Sequence, residues 1–484
     1  MTDPTSPHTG TQPVVPISPT YPGVAVPTAP RPAGSTAVAL IIAGLATVLL
    51  VAVGGIILFT TTDGPSGQRG VWNGPIAYPE GMGDGTYHDV VFAGETVYFR
   101  TTSQDRKTWI TAADAKTGAE KWSLDEGLAV GEEYSVTYID PGQDALLVQE
   151  TASSSTNAFL VDAKTGKAHE LTSQDSGTYH RMIGGVPVRT TTGGDMEVLD
   201  ANGDKIWDAS IDVGSGDNTV AVASADNLGD LPYAGNPIDA KQLLTVGYDG
   251  SVKILDKKDG KVVTEKKSAV TEGSVALLAF DDVLYAKTTN DDRTRETITA
   301  YDMKDDFAKI DSWKGEKGQT FTQLSPCTAK LMCASGYWTS EPTRSGNAVI
   351  DLKEGVVWKA PEDKEASYAS ISFVGDTMAV AYFSSYSTDS PIETQLYDKD
   401  FKEMGEILQG WYTAADDKVF AAVSASDYTS AEAKVYDAEV SIVEAEDGRV
   451  SKLDSYPAYP GCEIAGPNLA CATEPGYRLW KYRD

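Results

Sequence analysis

Residues 110–122 read ITAADAKTGAEKW, and residues 159–171 read FLVDAKTGKAHEL. Both set Asp-Ala-Lys-Thr-Gly between two apolar runs. An Asp side chain can accept hydrogen bonds from backbone N–H groups two or three residues further on, which closes a turn. The Gly takes a positive φ at little steric cost, so the return strand can pair with the correct twist. The lysines keep the loop in water. The stretch therefore reads as strand, turn, strand.

The unit recurs. MEVLDANGDKIW (196–207), VKILDKKDGKVV (252–263), ITAYDMKDDFAKIDSW (298–313), AVIDLKEGVVW (348–358), TQLYDKDFKEMGEIL (394–408) and SIVEAEDGRVSKL (441–453) repeat it with decreasing fidelity. The acidic turn position falls at Asp114, Asp162, Asp200, Asp256, Asp302, Asp351, Asp398 and Glu444. The mean interval is about 47 residues, the spacing of a β-propeller with roughly four strands per blade. A further apolar strand precedes most units, such as ETVYFRTT (95–102) and DALLVQET (144–151). Trp122, Trp207, Trp313 and Trp358 recur on the return strand, where a flat ring can fill the wedge between blades. The expected fold is all-β, a propeller of eight blades, or seven if the irregular stretch 196–260 is not a full blade. The last residues begin a ninth unit and stop before any Asp-Gly turn. Residues 71–79, VWNGPIAYP, are expected to complete that sheet and pair the two chain ends, which removes exposed edges.

Ala112, Asp114, Thr117, Gly118 and Trp122 fit an A-x-D-x-x-T-G-x-x-x-W pattern, and in this the chain resembles the pyrroloquinoline-quinone-like (PQQ-like) propeller repeat. The second unit keeps Asp162, Thr165 and Gly166 but lacks the Trp. The resemblance extends, at decreasing quality, over residues 70–484 and implies an eight-bladed propeller. DGSVKILD (249–256) is also similar to a WD-repeat strand, although no recurring Gly-His and Trp-Asp pairs accompany it. Quinone-using members resemble one another in an adjacent Cys-Cys pair, a bound calcium and a catalytic Asp. This sequence has no adjacent cysteines, so the resemblance carries over no cofactor, metal or catalytic residue.

The N-terminus has a different composition. Residues 1–36 are Pro-rich with almost no charge, too poor in apolar groups to offset ordering entropy, and read as a disordered tail. Residues 37–59, AVALIIAGLATVLLVAVGGIILF, carry no charge and as a helix would reach about 34 Å, enough to cross a bilayer. The run is too long for a signal-peptide core and no A-x-A site follows, so an uncleaved transmembrane anchor is expected. Residues 60–70 form a linker and residues 71–484 the propeller.

All four cysteines follow the anchor. Cys327/Cys333 and Cys462/Cys471 each have a Pro shortly before the first Cys and a Leu-x-Cys-Ala run at the second. Four cysteines allow three connectivities, and the matching settings favour two local bridges. Disulfides imply an oxidising compartment, which places the propeller outside the plasma membrane and the tail in the cytoplasm. The outside part has no Asn-x-Ser/Thr site, which fits a bacterial, by expectation actinobacterial, envelope protein.

The formal net charge is −30, all of it beyond residue 60. So acidic a surface repels phosphate backbones, which excludes nucleic acid as the expected partner. Of the four histidines, His8, His88, His169 and His180, none falls in a zinc-binding or zincin pattern. The acidic stretches Asp200–Asp204 and Asn290–Asp292 lack the full calcium-loop spacing and read as solvated turns. The expected function is a non-catalytic binding or assembly scaffold that takes a protein or cell-envelope polymer partner and touches lipid through one helix. The alternatives are a quinone- or metal-dependent oxidoreductase, a hydrolase with an axial site, or signalling through the tail.

Overall fold

The computed structural model describes residues 76–77 and 85–481, less 104–106, 130–136, 151–156, 173–177, 212–219, 226–239, 281, 291–293, 329, 339–340, 362–367, 384–392, 410, 415–417, 426–435, 466–467 and 474–475. The Pro-rich tail, the 37–59 span and the linker lie outside the described residues. Among those described, every regular element is a β-strand, and no helix is long and apolar enough to cross a membrane.

The first sheet shows the plan. Gly85–Ala93, Thr96–Ser103, Lys107–Asp114 and Glu120–Ser123 follow one another as antiparallel neighbours. Asp114 ends the third strand, and the turn after it leads into the fourth. The same four-strand meander recurs over 137–172, 178–210, 220–266, 275–314, 319–359 and 368–409. The stretch 196–260 spans the end of one complete meander and most of the next. Two of the runs, 220–266 and 275–314, join through a short parallel pairing of Ser224 with Ala279 and Ala225 with Phe280.

The central strands explain their own composition. Thr96–Ser103 and Lys107–Asp114 are almost wholly buried, because a sheet lies against each of their faces. Successive side chains on a strand point to opposite faces, so each strand divides its apolar residues between two neighbours. Tyr98 packs with Ile110, Trp122, Leu146 and Val148 toward the following sheet. Val97 and Phe99 pack the other way, against Ala470, Tyr477 and Leu479. Leu146 and Leu147 divide in the same manner, as do Leu243 and Leu244. Runs that look uniformly apolar therefore still follow a period of two.

The ring closes on itself. Val450–Ala465 pairs first with Tyr436–Glu444 and then with Asn468–Thr473, which pairs with Gly476–Lys481. Ile76 and Tyr477 exchange two backbone hydrogen bonds of 2.8 and 2.9 Å, so the chain ends meet in one sheet. Across the seam the Phe92 amide donates to Glu463 Oε2 at 3.1 Å, and Phe99 stacks on Tyr477 with ring centroids 4.3 Å apart. Sheets packed in chain order, with the last lying against the first, make a β-propeller.

Cys327 and Cys333 form a disulfide that clasps the hairpin between Gln319–Pro326 and Leu331–Trp338, with Cα atoms 5.5 Å apart. Cys471 is also disulfide-bonded, and its cross-strand partner in the register is Cys462. A bridge six residues apart closes a short loop, so Cys327→Ser/Cys333→Ser should cost about 2 kcal/mol in a denaturant titration.

Candidate functional site

The repeated Asp-x-Lys-Thr-Gly turn is the recurrent polar feature of the chain, and one oxygen of each Asp is engaged within its own turn. Asp114 Oδ1 accepts from the Lys116 amide at 3.0 Å, the Thr117 amide at 2.8 Å and the Thr117 hydroxyl at 2.9 Å. Asp162 Oδ1 does the same with Lys164 and Thr165, at 3.0, 2.7 and 2.8 Å. The Gly118 and Gly166 amides close the turns onto Asp114 O and Asp162 O, with φ of 67° and 72°. The carboxylates of Asp200, Asp256, Asp302, Asp351 and Asp398 each accept from the amide two residues on. This includes the Asp200–Asp204 stretch weighed as a calcium loop. Among the described residues no group of three or more metal-ligating side chains converges.

Hydrogen bonds from the Thr117 side chain, opposed by some burial and helped by amides, hold the Asp114 carboxyl below its usual range. At Asp162 burial pushes up, but the Thr165 and Lys164 bonds outweigh it and the net direction is down. A depressed carboxyl contributes stability above the unfolded value of 3.8 and loses it as pH falls through the lowered native one. Melting temperature should therefore drop below about pH 4, and less steeply in Asp162→Asn. An equally steep drop in the variant would remove this turn from the cause.

The tryptophans link one unit to the next. Trp122 Nε1 donates to Ala163 O of the second turn at 2.9 Å, and Trp207 Nε1 donates to Lys257 O of the fourth at 2.9 Å. Trp358 meets Tyr397 of the following sheet edge-on, with centroids 5.5 Å apart. The structure thus brings Trp122 onto the turn of the next unit, at Ala163 and Gly166. A Cβ on Gly166 would lie 2.6 Å from the Trp122 ring. Gly94 also has a positive φ, 58°, but its Cβ would meet nothing within 4 Å. Gly94→Ala should cost about 1 kcal/mol for backbone strain alone, and Gly166→Ala clearly more, because Trp122 must also move. Equal losses in chemical denaturation would refute the contact.

Where the units lose their Gly, another residue takes the left-handed conformation: Phe307 with φ of 60° and Phe401 with φ of 57°. Phe307 is buried in the cluster between the fourth and fifth units, so packing offsets the strained backbone.

Polar side chains that the sequence did not single out lie among the buried strands. His88 Nδ1 is 2.9 Å from Thr101 Oγ1, whose hydroxyl also bonds Tyr477 OH across the seam. Burial, then the nearby Arg100 charge, pushes His88 down to about 3. Burial and Arg189 push His180 down to about 4, while Arg189 Nε donates to Glu197 Oε2 at 2.6 Å. Both imidazoles are therefore neutral at ordinary pH. Lys287 and Glu296 form a further pair at 2.9 Å. Asp140, on Thr137–Pro141, is pushed up to about 7 by burial, against the opposing effect of the Met182 amide that donates to it. No spacing rule pointed to these groups, because each is defined by partners on other strands.

No family model matches the chain, and no curated protein is similar to it. Solved structures with a similar backbone course include BamB from Moraxella catarrhalis, at 13% identity and a TM-score of 0.43, over 86% of this chain and 97% of that one. Another is the computationally designed Ika8 protein, at 12% identity and 0.39, over 73% and 98%. A third is the WD40 domain of SCAP from fission yeast, at 10% identity and 0.37, over 85% and 98%. The propeller assignment rests on the strand order and closed packing of this chain itself.

Proposed function

We propose that this chain is a membrane-anchored propeller that acts outside the cytoplasm as a non-catalytic binding or assembly scaffold in a bacterial envelope. Its ring would hold eight turn-bearing blades, with the composite sheet of Ile76 and the last strands as a closing wedge. The observation that carries the reading is how the repeated carboxylates are used. From Asp114 to Asp398 they are bound by the amides of their own turns, so this recurrent polar feature supports shape. What such a ring offers a partner is rigid surface and charge. The uncharged run 37–59 supports the anchor, and the Cys327–Cys333 bridge supports an oxidising compartment.

Photo-crosslinking of the intact protein in its native membrane should yield a discrete protein or envelope-polymer adduct through the propeller. Dye-linked oxidation of alcohols or sugars by the purified protein with added quinone and calcium, together with no adduct, would overturn the scaffold reading. External protease should digest exposed propeller loops on intact cells; full protection would reverse the proposed orientation.

A further inference from the structure

The outer strand Val262–Lys266 differs from its counterparts. Val262, Val263, Thr264 and Glu265 are all exposed, the two valines at 52% and 55%. It is the end strand of its sheet, paired on one side with Val252–Asp256 and on the other with no described strand. Alternate residues of such an edge present N–H and C=O groups outward. The flanking outer strands add exposed aliphatics, Ile206 before it and Ile310 after it. These neighbours are held together: Trp207 bonds Lys257 O, and Lys266 pairs with Asp306.

Charge sets this edge apart further. Residues 256–267 contain five lysines against three carboxylates, and none of the other seven turn-and-outer-strand segments is net positive. A basic edge in a chain of net charge −30 is the reverse of what uniform surface solvation would produce.

We infer that Val262–Lys266 is a docking edge for an extended acidic segment of a partner protein, which adds to the sheet as an antiparallel or parallel strand. The inference rests on the scaffold reading and names the surface and the chemistry of its partner. An added strand would satisfy the outward backbone groups, while its side chains would sit beside Val262 on one face and Val263 on the other. Acidic groups on it would meet Lys258 and Lys267, which are exposed, and Lys261, also exposed, whose ammonium pairs with Asp259 in the free protein. A lipid surface would match the lysines and valines but cannot complete a ladder of alternating donors and acceptors. A second copy joined edge to edge would bring two basic hairpins together, which disfavours self-pairing.

The test uses the full chain in lipid nanodiscs and a labelled synthetic peptide of alternating valine and glutamate, read by fluorescence anisotropy. Binding is expected, and it should weaken about tenfold or more in high salt and in Lys258→Glu/Lys261→Glu/Lys267→Glu, a variant expected to melt like the parent. The same peptide N-methylated at alternate residues should not bind. Equal binding of the methylated peptide, or equal binding by the triple variant, overturns the inference. So does binding to phosphatidylglycerol vesicles without binding to the peptide, or a dimer that the triple variant abolishes. Native-membrane crosslinking separates the two readings. If parent and triple variant capture the same partner equally, the edge fails and the scaffold stands; if neither captures one, both fail.

Discussion

Trp122→Ala is expected to lower the unfolding free energy by about 3–5 kcal/mol, the cost of truncating a well-packed buried tryptophan. Trp122 is buried among Tyr98, Ile110, Leu146 and Val148, so its removal opens a cavity between two sheets. It also frees Ala163 O, the acceptor of its indole N–H. Trp122→Phe should retain most of the packing and lose the hydrogen bond, at about 1–2 kcal/mol. Denaturant titration of the two variants separates volume from bonding. A loss below about 1 kcal/mol for Trp122→Ala would mean that the wedge between sheets is not what this side chain fills.

Asp140→Asn should have the next largest effect, with a pH dependence of distinctive sign. Burial raises the Asp140 carboxyl from 3.8 to about 7, so the native state holds a proton that the unfolded state has released. Stability contributed by this group is full below the unfolded value, declines as pH rises between the two, and stays low above about 7. Asn keeps an acceptor for the Met182 amide and carries no charge. The variant should match the parent near pH 4 and exceed it above pH 7 by up to about 4 kcal/mol, the full worth of such a shift. Thermal melts of both proteins across that range measure it. Parallel profiles would show that Asp140 is ionised without penalty. The turn aspartates act in the opposite direction and at lower pH, so the two kinds of carboxyl can be told apart.

A polar residue with a perturbed titration is often a catalytic candidate, but such shifts also arise in structural networks. His88 is enclosed by Thr101 and Tyr477 where the chain ends meet, and Asp140 is bound to the amide of the neighbouring inner strand. Both groups sit at contacts between sheets. The strand Val262–Lys266, by contrast, is exposed, and no described strand pairs with its outer side.

The turn was legible at the level of single residues because its interactions are local. Asp114, Thr117 and Gly118 lie within five residues, and the geometry that joins them follows from side-chain reach and backbone freedom. The recurrence of that turn set the strand count per unit and hence the propeller. The pairing of the chain ends was readable too, since an incomplete last sheet needs a partner, and Ile76 supplies it. Less legible was the tryptophan's second role. Its recurrence suggested filling between blades, while its bond to the next turn depends on how far consecutive sheets rotate against each other.

By itself the sequence determined the repeat, its turn chemistry and the acidic net charge. These depend on contacts a few residues apart or on totals over the chain. Only the tertiary structure decided how each buried strand divides its apolar residues between two neighbours, which glycine a tryptophan leans on, that His88 and Asp140 are buried, and that the exposed strand Val262–Lys266 has no described strand on its outer side. Those properties arise where strands distant in sequence meet or fail to meet. Burial, charge and open backbone groups at such places are set by neighbours that no local spacing can name.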